Sequence, residues 1–188
     1  MESKVVYFEG LSPENTGIVF GLVKEKLAAL GIRKLVLAST TGETARKALD
    51  FFKDNKVKLI VVPHQFDFKR KENLFPQELV KTLRESGHEV HFGTMLFHTD
   101  KLYDSNIPTL MANLLRCFSQ GVKVCFEIVL MSTDAGLLAS GEKVIAVAGT
   151  GRGSDTALVM QAASSQQVRN LRVNEIICKP LNYLSKEE

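Results

Sequence analysis

Two hydrophobic periodicities alternate along the chain. Short β-branched runs, typical of strands, are separated by longer segments in which apolar residues recur every three or four positions, as in helices. Several short runs, such as "KLVLA" and "KVIAVA", are apolar at nearly every position, which indicates strands that helices cover on both faces. The predicted strands are Lys4–Phe8, Lys34–Ala38, Lys58–Val62, Glu89–Phe92, Lys143–Ala148, Ala157–Gln161 and Glu175–Cys178.

The helical segments have recognisable start and stop signals. Ser12 and Pro13 supply an N-cap and a first-turn proline for the first helix, and Gly31 provides its C-terminal stop. The other helices are predicted at about Thr41–Asn55, Pro76–Gly87, Ile107–Gly121 and Val122–Asp134. This alternation predicts one α/β domain over residues 1–188, a three-layer sandwich with a mostly parallel sheet.

Composition narrows the function classes. The 188 residues are 45% hydrophobic with a formal net charge of +3. That length supports one substantial core, and the mild, scattered positive charge does not indicate a nucleic-acid-binding protein. The most apolar stretch carries Lys123, Glu127 and Asp134, so we expect no membrane span. The first residues lack the apolar region of a signal peptide, and we therefore expect a cytoplasmic protein.

Unusual residues inside the apolar runs have two interpretations each. Cys117, Cys125 and Cys178 are expected to be buried as small hydrophobes, because no metal or redox spacing joins them. Glu127 and Asp134 interrupt an apolar helix on one face; they either point at a ligand pocket or cap neighbouring loops, and the second role is favoured.

The carboxyl ends of the strands are where ligands bind in open α/β sheets. Five loops follow predicted strands there, and they are rich in Gly, Thr, Ser, Asn and His. They contain the sequences "FEGLSPENTG", "STTGET", "PHQFDFKRKENLFP", "GTMLFHTDKLYDSN" and "GTGRGSDT". Such residues hydrogen-bond polar ligands, so the sequence predicts a small-molecule site at this edge of the sheet.

The loop "STTGET" has both a structural and a functional interpretation. Thr40 and Glu43 match a capping box, in which each side chain satisfies the other's free amide. A cap does not need Ser39, Gly42 and Thr44 as well. Gly42 allows close backbone approach, and the free amides and positive dipole end of a helix bind phosphate without lysine. We therefore expect a phosphate to bind at this helix start.

The same loop carries a family resemblance. Gly42 to Ala45 and the hydroxyl residues before them resemble the effector-phosphate loop in the C-terminal domain of pyruvate kinase. With "ENTG", "VVPHQF", "EIVLMSTDAG" and "GTGRGSDTA", nearly the whole chain is similar to the stand-alone proteins named pyruvate kinase C-terminal-domain-like. The resemblance implies that fold and a bound flavin mononucleotide (FMN). It does not imply pyruvate kinase activity, because that chemistry belongs to a barrel domain that this chain is too short to contain.

Two further loops extend the predicted site. The glycine-rich loop before Asp155 departs from the G-x-G-x-x-G fingerprint of nicotinamide binders and precedes a strand instead of a helix. We expect a tight turn with the Thr150 hydroxyl facing the ligand and Arg152 facing water. The loop from His64 to Phe75 has twelve residues, long enough for a lid, and Phe66 is expected to cover a flat ring.

The resulting hypothesis is a phosphorylated flat heterocycle, FMN, bound at the strand carboxyl ends. The predicted ligand-binding residues are Glu9, Asn15, Thr16, Ser39, Thr40, Thr41, Gly42, Thr44, His64, Gln65, Phe66, Thr94, Thr150, Gly151, Gly153, Asp155 and Thr156. The alternative is a sugar-phosphate or nucleotide sensor without flavin. The sequence contains no metal-binding motif, and no set of catalytic residues can be assembled from it. Whether the protein is a flavin-dependent oxidoreductase is left open. A homo-oligomer is also left open, with apolar helices such as Val122–Met131 as its interface.

Overall fold

Strands and helices alternate in a computed structural model that describes residues 2–69 and 71–181. The predicted domain limits, 1 and 188, therefore lie outside the described residues. The strands are β1 Val6–Phe8, β2 Lys34–Ala38, β3 Lys58–Val62, β4 Glu89–Val90, β5 Lys143–Ala148, β6 Thr156–Gln161 and β7 Arg172–Pro180. The α-helices are α1 Asn15–Leu30, α2 Glu43–Phe51, α3 Gln77–Glu85, α4 Asp100–Tyr103, α5 Ile107–Arg116 and α6 Gln120–Asp134. Two 3₁₀ segments, Leu96–His98 and Ser165–Asn170, complete the fold.

The seven strands form one sheet in the order β1-β7-β6-β5-β2-β3-β4. Neighbouring strands are parallel except at β6, which is antiparallel to both β5 and β7. A mostly parallel sheet is therefore confirmed. Because β6 runs the other way, its first residue lies at the same edge as the carboxyl ends of the other strands.

Alternate residues of the central strands enter two separate cores. In β2, Leu35 and Leu37 pack with α1, α2 and α3, whereas Val36 packs on the other face with α5 and α6. Leu59 and Ile60 of β3 divide in the same way. Burial on both faces explains why these strands are continuous apolar runs, and it confirms the three-layer sandwich.

The chain path opens a crevice beside β2. From β2 the chain passes through α2, β3, α3 and β4 toward one side of the sheet, and it returns through α5 and α6 on the opposite face to β5. Strand β2 thus has β3 on one side and β5 on the other. Such a reversal of direction separates the loops at the strand carboxyl ends and leaves room for a ligand.

Three expectations for the second half of the chain are corrected. The fourth predicted helix ends at Arg116, not near Gly121, because the Ser119 side chain accepts the Val122 amide at 3.0 Å and caps a new helix. Cys125 and Cys178 are buried as expected, but Cys117 is exposed. The segment Val122–Met131, offered as an interface, lies largely in the chain's own core.

No helix among residues 2–69 and 71–181 combines the length and apolar character that crossing a membrane requires.

Candidate ligand-binding site

A cleft of about 1290 Å³ lies at the carboxyl ends of β2, β3 and β5. Its walls are the start of α2, the loop 149–153 and the facing surfaces of α5 and α6. Residues 39–41 follow β2 directly, Pro63 and His64 follow β3, and Gly149 follows β5. The cleft therefore occupies the crevice that the change in chain direction creates.

The start of α2 is organised by Ser39, not by the predicted capping box. The Ser39 Oγ accepts a hydrogen bond from the Ala45 amide at 3.2 Å. Thr40 Oγ1 instead lies 3.3 Å from His64 Nε2, and the Glu43 carboxylate forms a surface ion pair with Lys47 at 3.2 Å. The hydroxyl of Thr40 is thus directed to the cleft floor, because Ser39 already satisfies a first-turn amide.

Gly42 is the N-cap of α2, and its backbone conformation and close packing explain why a glycine occupies this position. Its φ of 82° lies in the left-handed region, and an added Cβ would stand 2.6 Å from Leu79 Cδ2 and 3.1 Å from Pro76 Cδ. The close approach that requires a glycine is therefore to α3. Gly42 is not among the residues that line the cleft, and its role as a ligand-binding residue stays a prediction.

The start of α2 keeps two features that suit an anion. The amides of Glu43 and Thr44 belong to the first turn, where a helix offers no acceptor of its own. Both residues line the cleft, and the positive end of the helix dipole lies there. The hydroxyls of Thr40 and Thr41 border the same space. This end of the cleft can hold a phosphate group without a lysine.

A buried ion pair forms part of the opposite wall. Lys123 and Glu127, one turn apart on α6, are 1% and 2% exposed, and their Nζ and Oε2 atoms lie 2.6 Å apart. Lys123 Nζ is also 3.0 Å from His98 Nε2, and Glu127 Oε1 accepts the Phe97 amide at 2.8 Å. Buried charges of this kind are stable only when paired and hydrogen-bonded, and this pair meets both conditions.

The favoured role of the two acidic residues in α6 is confirmed. Glu127 caps the loop at Phe97, and Asp134 Oδ1 accepts the Ser165 amide at 2.7 Å. Glu127 also lines the cleft, whereas Asp134 does not. Glu127 therefore also faces the cleft, which was the other of the two expected roles.

Two histidines flank Phe68 at the cleft floor. The ring centroid of Phe68 is 4.9 Å from that of His64 and 4.9 Å from that of His98, both in edge contact. Burial lowers the pKa of His64 and of His98. At His98 the Lys123 ammonium lowers the pKa further and outweighs the Glu127 carboxylate, whereas at His64 the carboxylate is the larger of these two opposing effects. Burial also lowers the pKa of Lys123. Neutral imidazoles beside a cation can accept hydrogen bonds from a ligand.

Phe66 does not cover the cleft. Its ring is 53% exposed and packs against Phe92 at 5.1 Å between centroids, outside the cleft lining. The chain takes left-handed conformations at Asp67 and Lys69, and this path turns Phe68 inward instead. The structure therefore places Phe68, and not the predicted Phe66, at the cleft.

The loop after β5 is tied together by Asp155. Its carboxylate accepts the Thr150 amide at 2.8 Å and the Thr156 hydroxyl at 2.6 Å, and burial raises its pKa. Thr16 Oγ1 accepts the Ser154 amide at 2.9 Å. Thr16, Asp155 and Thr156 therefore shape the loop from behind and do not face the cleft. The Arg152 side chain is exposed and borders the cleft, so it faces both water and ligand space.

The structure brings about half of the predicted residues together. Those that line the cleft are Ser39, Thr40, Thr41, Thr44, His64, Thr150, Gly151 and Gly153. Those that do not are Glu9, Asn15, Thr16, Gly42, Gln65, Phe66, Thr94, Asp155 and Thr156. Most of the second group have structural roles. Asn15 donates to the Gly10 carbonyl, and Gln65 accepts the Met95 amide. Glu9 and Thr94 are exposed.

Many lining residues were not among the predicted ligand-binding residues, and the largest group of them belongs to α5 and α6. That group is Asn113, Arg116, Gln120, Lys123, Val124, Glu127, Ile128 and Met131. The sequence offered one signal for them. Lys123 and Glu127 lie four residues apart inside an apolar run, a spacing that makes them neighbours on one helix face.

A second cavity of about 1050 Å³ lies at the amino ends of β2 and β3, and it is the weaker candidate. Its lining includes Lys34, Lys53 and Lys58, and all three form ion pairs with carboxylates. The groove also borders the C-terminal ends of α2 and α3, where cations stabilise the helix dipole. Lys34, Lys53 and Lys58 therefore have a structural role in this groove.

Fold and cleft together define an α/β protein with a cleft at the carboxyl edge of its mostly parallel sheet. The family model "Pyruvate kinase, alpha/beta domain" matches residues 21–160, most of the chain. The chain therefore belongs to the pyruvate kinase alpha/beta domain family.

Two solved pyruvate kinases from Cryptosporidium parvum are also similar to the chain, one of them in complex with ADP. They are 14% and 13% identical to it, each with a TM-score of 0.44. The matches cover 83% of this chain but only 25% and 24% of theirs, so the chain spans about a quarter of those proteins.

Proposed function

We propose that the cleft binds a phosphorylated small molecule with a flat heterocycle, and that this ligand is FMN. One observation carries the proposal. The cleft joins an anion-binding end, formed by the first turn of α2 and the loop 149–153, to a wall with apolar side chains from α6. A ligand with one anionic and one largely apolar end matches this division.

Charge supports the phosphate end. Among the described residues that line the cleft, four are cationic, Lys69, Arg116, Lys123 and Arg152, and two are carboxylates, Glu43 and Glu127. Glu127 is neutralised by Lys123, and Glu43 pairs with Lys47. The remaining field is positive. Together with the helix dipole at α2, this positive charge favours an anionic ligand such as a phosphate monoester.

The apolar wall of the cleft supports the flavin as the ligand. Val124, Ile128 and Met131 of α6 and Phe68 of the long loop present apolar surface to the cleft. A flat tricycle buries well on such a wall, and Met side chains adapt to aromatic rings. The His64 and His98 imidazoles and the Lys123 ammonium provide polar contacts beside that wall. Whether a bound flavin would transfer electrons to a substrate is a separate question.

A sugar phosphate or nucleotide is the second candidate. The observation that favours it is the position of Phe66 outside the cleft, which removes one of the expected aromatic contacts with a flavin. Such a ligand would use the same phosphate end and the hydroxyl and amide groups of Thr40, Thr150 and Asn113.

The visible absorption spectrum of the purified protein separates the two candidates. Bound flavin gives bands near the blue region, and a nucleotide or sugar phosphate gives none. Fluorescence titrations with FMN and riboflavin then test the phosphate end. We expect FMN to bind at least tenfold more tightly, about 1.4 kcal/mol, because riboflavin lacks the anion. Equal affinities would contradict a phosphate at α2, and no binding of either would favour the second candidate.

Two matched pairs of variants locate the ligand in the cleft. Thr41→Asp places a carboxylate at the exposed helix start and should weaken FMN binding at least tenfold, whereas the similarly sized Thr41→Asn should not. Phe68→Ala should weaken binding more than Phe66→Ala, because only Phe68 borders the cleft. If Thr41→Asp and Thr41→Asn bind FMN alike, the phosphate does not lie at this helix start.

A further inference from the structure

An apolar surface covers the outer side of α4 and α5 and is unrelated to the cleft chemistry. Seven large apolar side chains lie on it, each between 42% and 69% exposed. They are Leu102, Tyr103, Ile107, Leu110, Met111, Leu114 and Phe118, and we refer to them as the 102–118 patch.

Helical spacing makes the patch continuous. Ile107, Leu110, Met111 and Leu114 follow the i, i+3, i+4, i+7 pattern of one helix face, and Phe118 lies in the turn that follows α5. The opposite face of α5 is already occupied, because Ala112 and Leu115 pack into the core. The pattern is therefore that of a helix with two apolar faces, only one of which is covered by residues 2–69 and 71–181.

Polar groups around the patch satisfy one another and leave its centre uncharged. Between Ile107 and Phe118 the only charged residue is Arg116, whose guanidinium donates to Gln120 and Asn113 at 2.7 Å each. The Asp100 carboxylate accepts the Thr109 hydroxyl at 2.6 Å and its amide at 3.2 Å, which fixes α4 against α5. Arg116 and its two partners line the cleft, so the apolar stripe itself carries no charge.

The size of the patch matches one side of a protein interface. Its side chains expose on the order of 800 Å², similar to the roughly 800 Å² per partner of a standard interface and above the largest patches of about 300–600 Å² on typical monomers. Leaving this area in water would be costly, because apolar burial contributes roughly 25 cal/mol per Å².

We infer that the 102–118 patch is the contact between two copies of this chain, with α5 packed antiparallel against α5 of the second copy. A two-fold contact requires a surface that complements itself. The patch meets this requirement, because its stripe is apolar along its whole length and Ile107 at one end is matched by Phe118 at the other. Met111 and Leu114 then lie nearest the two-fold axis.

Sedimentation equilibrium of the full chain over about a hundredfold range of concentration tests this inference. We expect the wild-type protein to associate beyond the 20.8 kDa of one chain. Leu114→Lys should abolish that association at all concentrations. The matched control is Ile18→Lys on α1, which also replaces an exposed apolar residue, 54% exposed, but in the opposite layer of the sandwich. It should associate as the wild type does.

Disulfide cross-linking tests the antiparallel arrangement. In a Cys117→Ser background, which removes the exposed native thiol, Leu114→Cys near the axis should form a dimer under mild oxidation. Ile107→Cys should not, because an antiparallel arrangement places the two copies of Ile107 at opposite ends of the contact, whereas a parallel one would bring them together. Circular dichroism checks that the variants fold. The inference is overturned if the wild type remains a monomer throughout, if Leu114→Lys associates like the wild type, or if both cysteine variants cross-link equally.

Discussion

Helices α5 and α6 are consecutive in the chain and lie in the same layer, but they distribute polar and apolar side chains in opposite ways. Helix α6 buries a lysine and a glutamate, Lys123 and Glu127, at 1% and 2% exposure. Helix α5 leaves Ile107, Leu110 and Leu114 more than half exposed. In each helix the residues that oppose the usual preference lie together on one face.

This difference indicates that side chains whose burial opposes their polarity mark functional surfaces. Buried polar side chains require partners, and Lys123 finds them in Glu127 and His98 at the cleft. Exposed apolar side chains at helical spacing require a cover, and α5 has none within the described part of the chain. The buried polar side chains of α6 therefore suggest a ligand site, and the exposed apolar side chains of α5 suggest an interface.

The largest expected effect comes from breaking the buried pair of α6. Glu127→Leu should lower the free energy of unfolding by about 3–5 kcal/mol, because Lys123 is left buried without its counter-charge. The double variant Lys123→Met with Glu127→Leu should recover most of that loss. Urea denaturation of both single variants and the double variant measures the coupling. Additive losses would show that the two side chains do not act as a pair.

A leucine on each helix compares their contributions directly. Leu130→Ala on α6, where the side chain is 3% exposed, should cost about 3 kcal/mol through lost burial and a cavity. Leu114→Ala on α5, at 69% exposure, should change the stability of a dilute monomer by less than about 0.5 kcal/mol. Thermal and urea unfolding at low protein concentration give both values. Similar losses would mean that α5 is not exposed.

The N-termini of α5 and α6 also differ, in how their first-turn amides are capped. Ser119 caps α6 by accepting the Val122 amide, whereas the Asn106 side chain makes no such bond at α5, where Asp100 accepts the Thr109 amide instead. Ser119→Ala should therefore cost about 1 kcal/mol, and Asn106→Ala only a few tenths. Chemical denaturation of the two alanine variants decides the matter. A loss for Asn106→Ala equal to that for Ser119→Ala would contradict the assigned caps.

The smallest effect concerns pH. Burial and Lys123 lower the pKa of His98 in the folded protein below the 6.5 of an unfolded histidine. The unfolded chain therefore binds more protons below about pH 6.5, and the free energy of unfolding should decrease as pH falls through the lowered folded pKa. His98→Gln should flatten this decrease between about pH 7 and pH 5. Leu114→Ala should leave it unchanged, and an unaltered slope in His98→Gln would contradict the assignment.

Much of the fold was predictable from local pattern. Strands β2, β3 and β5 begin at a lysine and continue as apolar runs, and their predicted bounds agree with the structure. Strand β7 is longer than predicted, beginning at Arg172 instead of Glu175. Its early part pairs only with β6 and is more exposed, so its sequence lacks a continuous apolar run.

The site was predictable only in part. The loops after β2 and β5 border the cleft because strand ends meet at one edge of a parallel sheet, a rule that needs no tertiary contacts. The choice between Phe66 and Phe68 depends on left-handed turns at Asp67 and Lys69. The reason for Gly42 depends on Leu79, more than thirty residues away. No local pattern contains either fact.

The sequence by itself determined the alternation of elements, the burial of the sheet on both faces and the edge at which a ligand can bind. Each of these follows from periodicity and strand direction, which neighbouring residues specify. The tertiary structure decided which side chains meet at that edge. Lys123 of α6 reaches His98 before α4, and α5 turns its second apolar face outward, because helix packing joins residues far apart in sequence and fixes which face of each helix the chain covers.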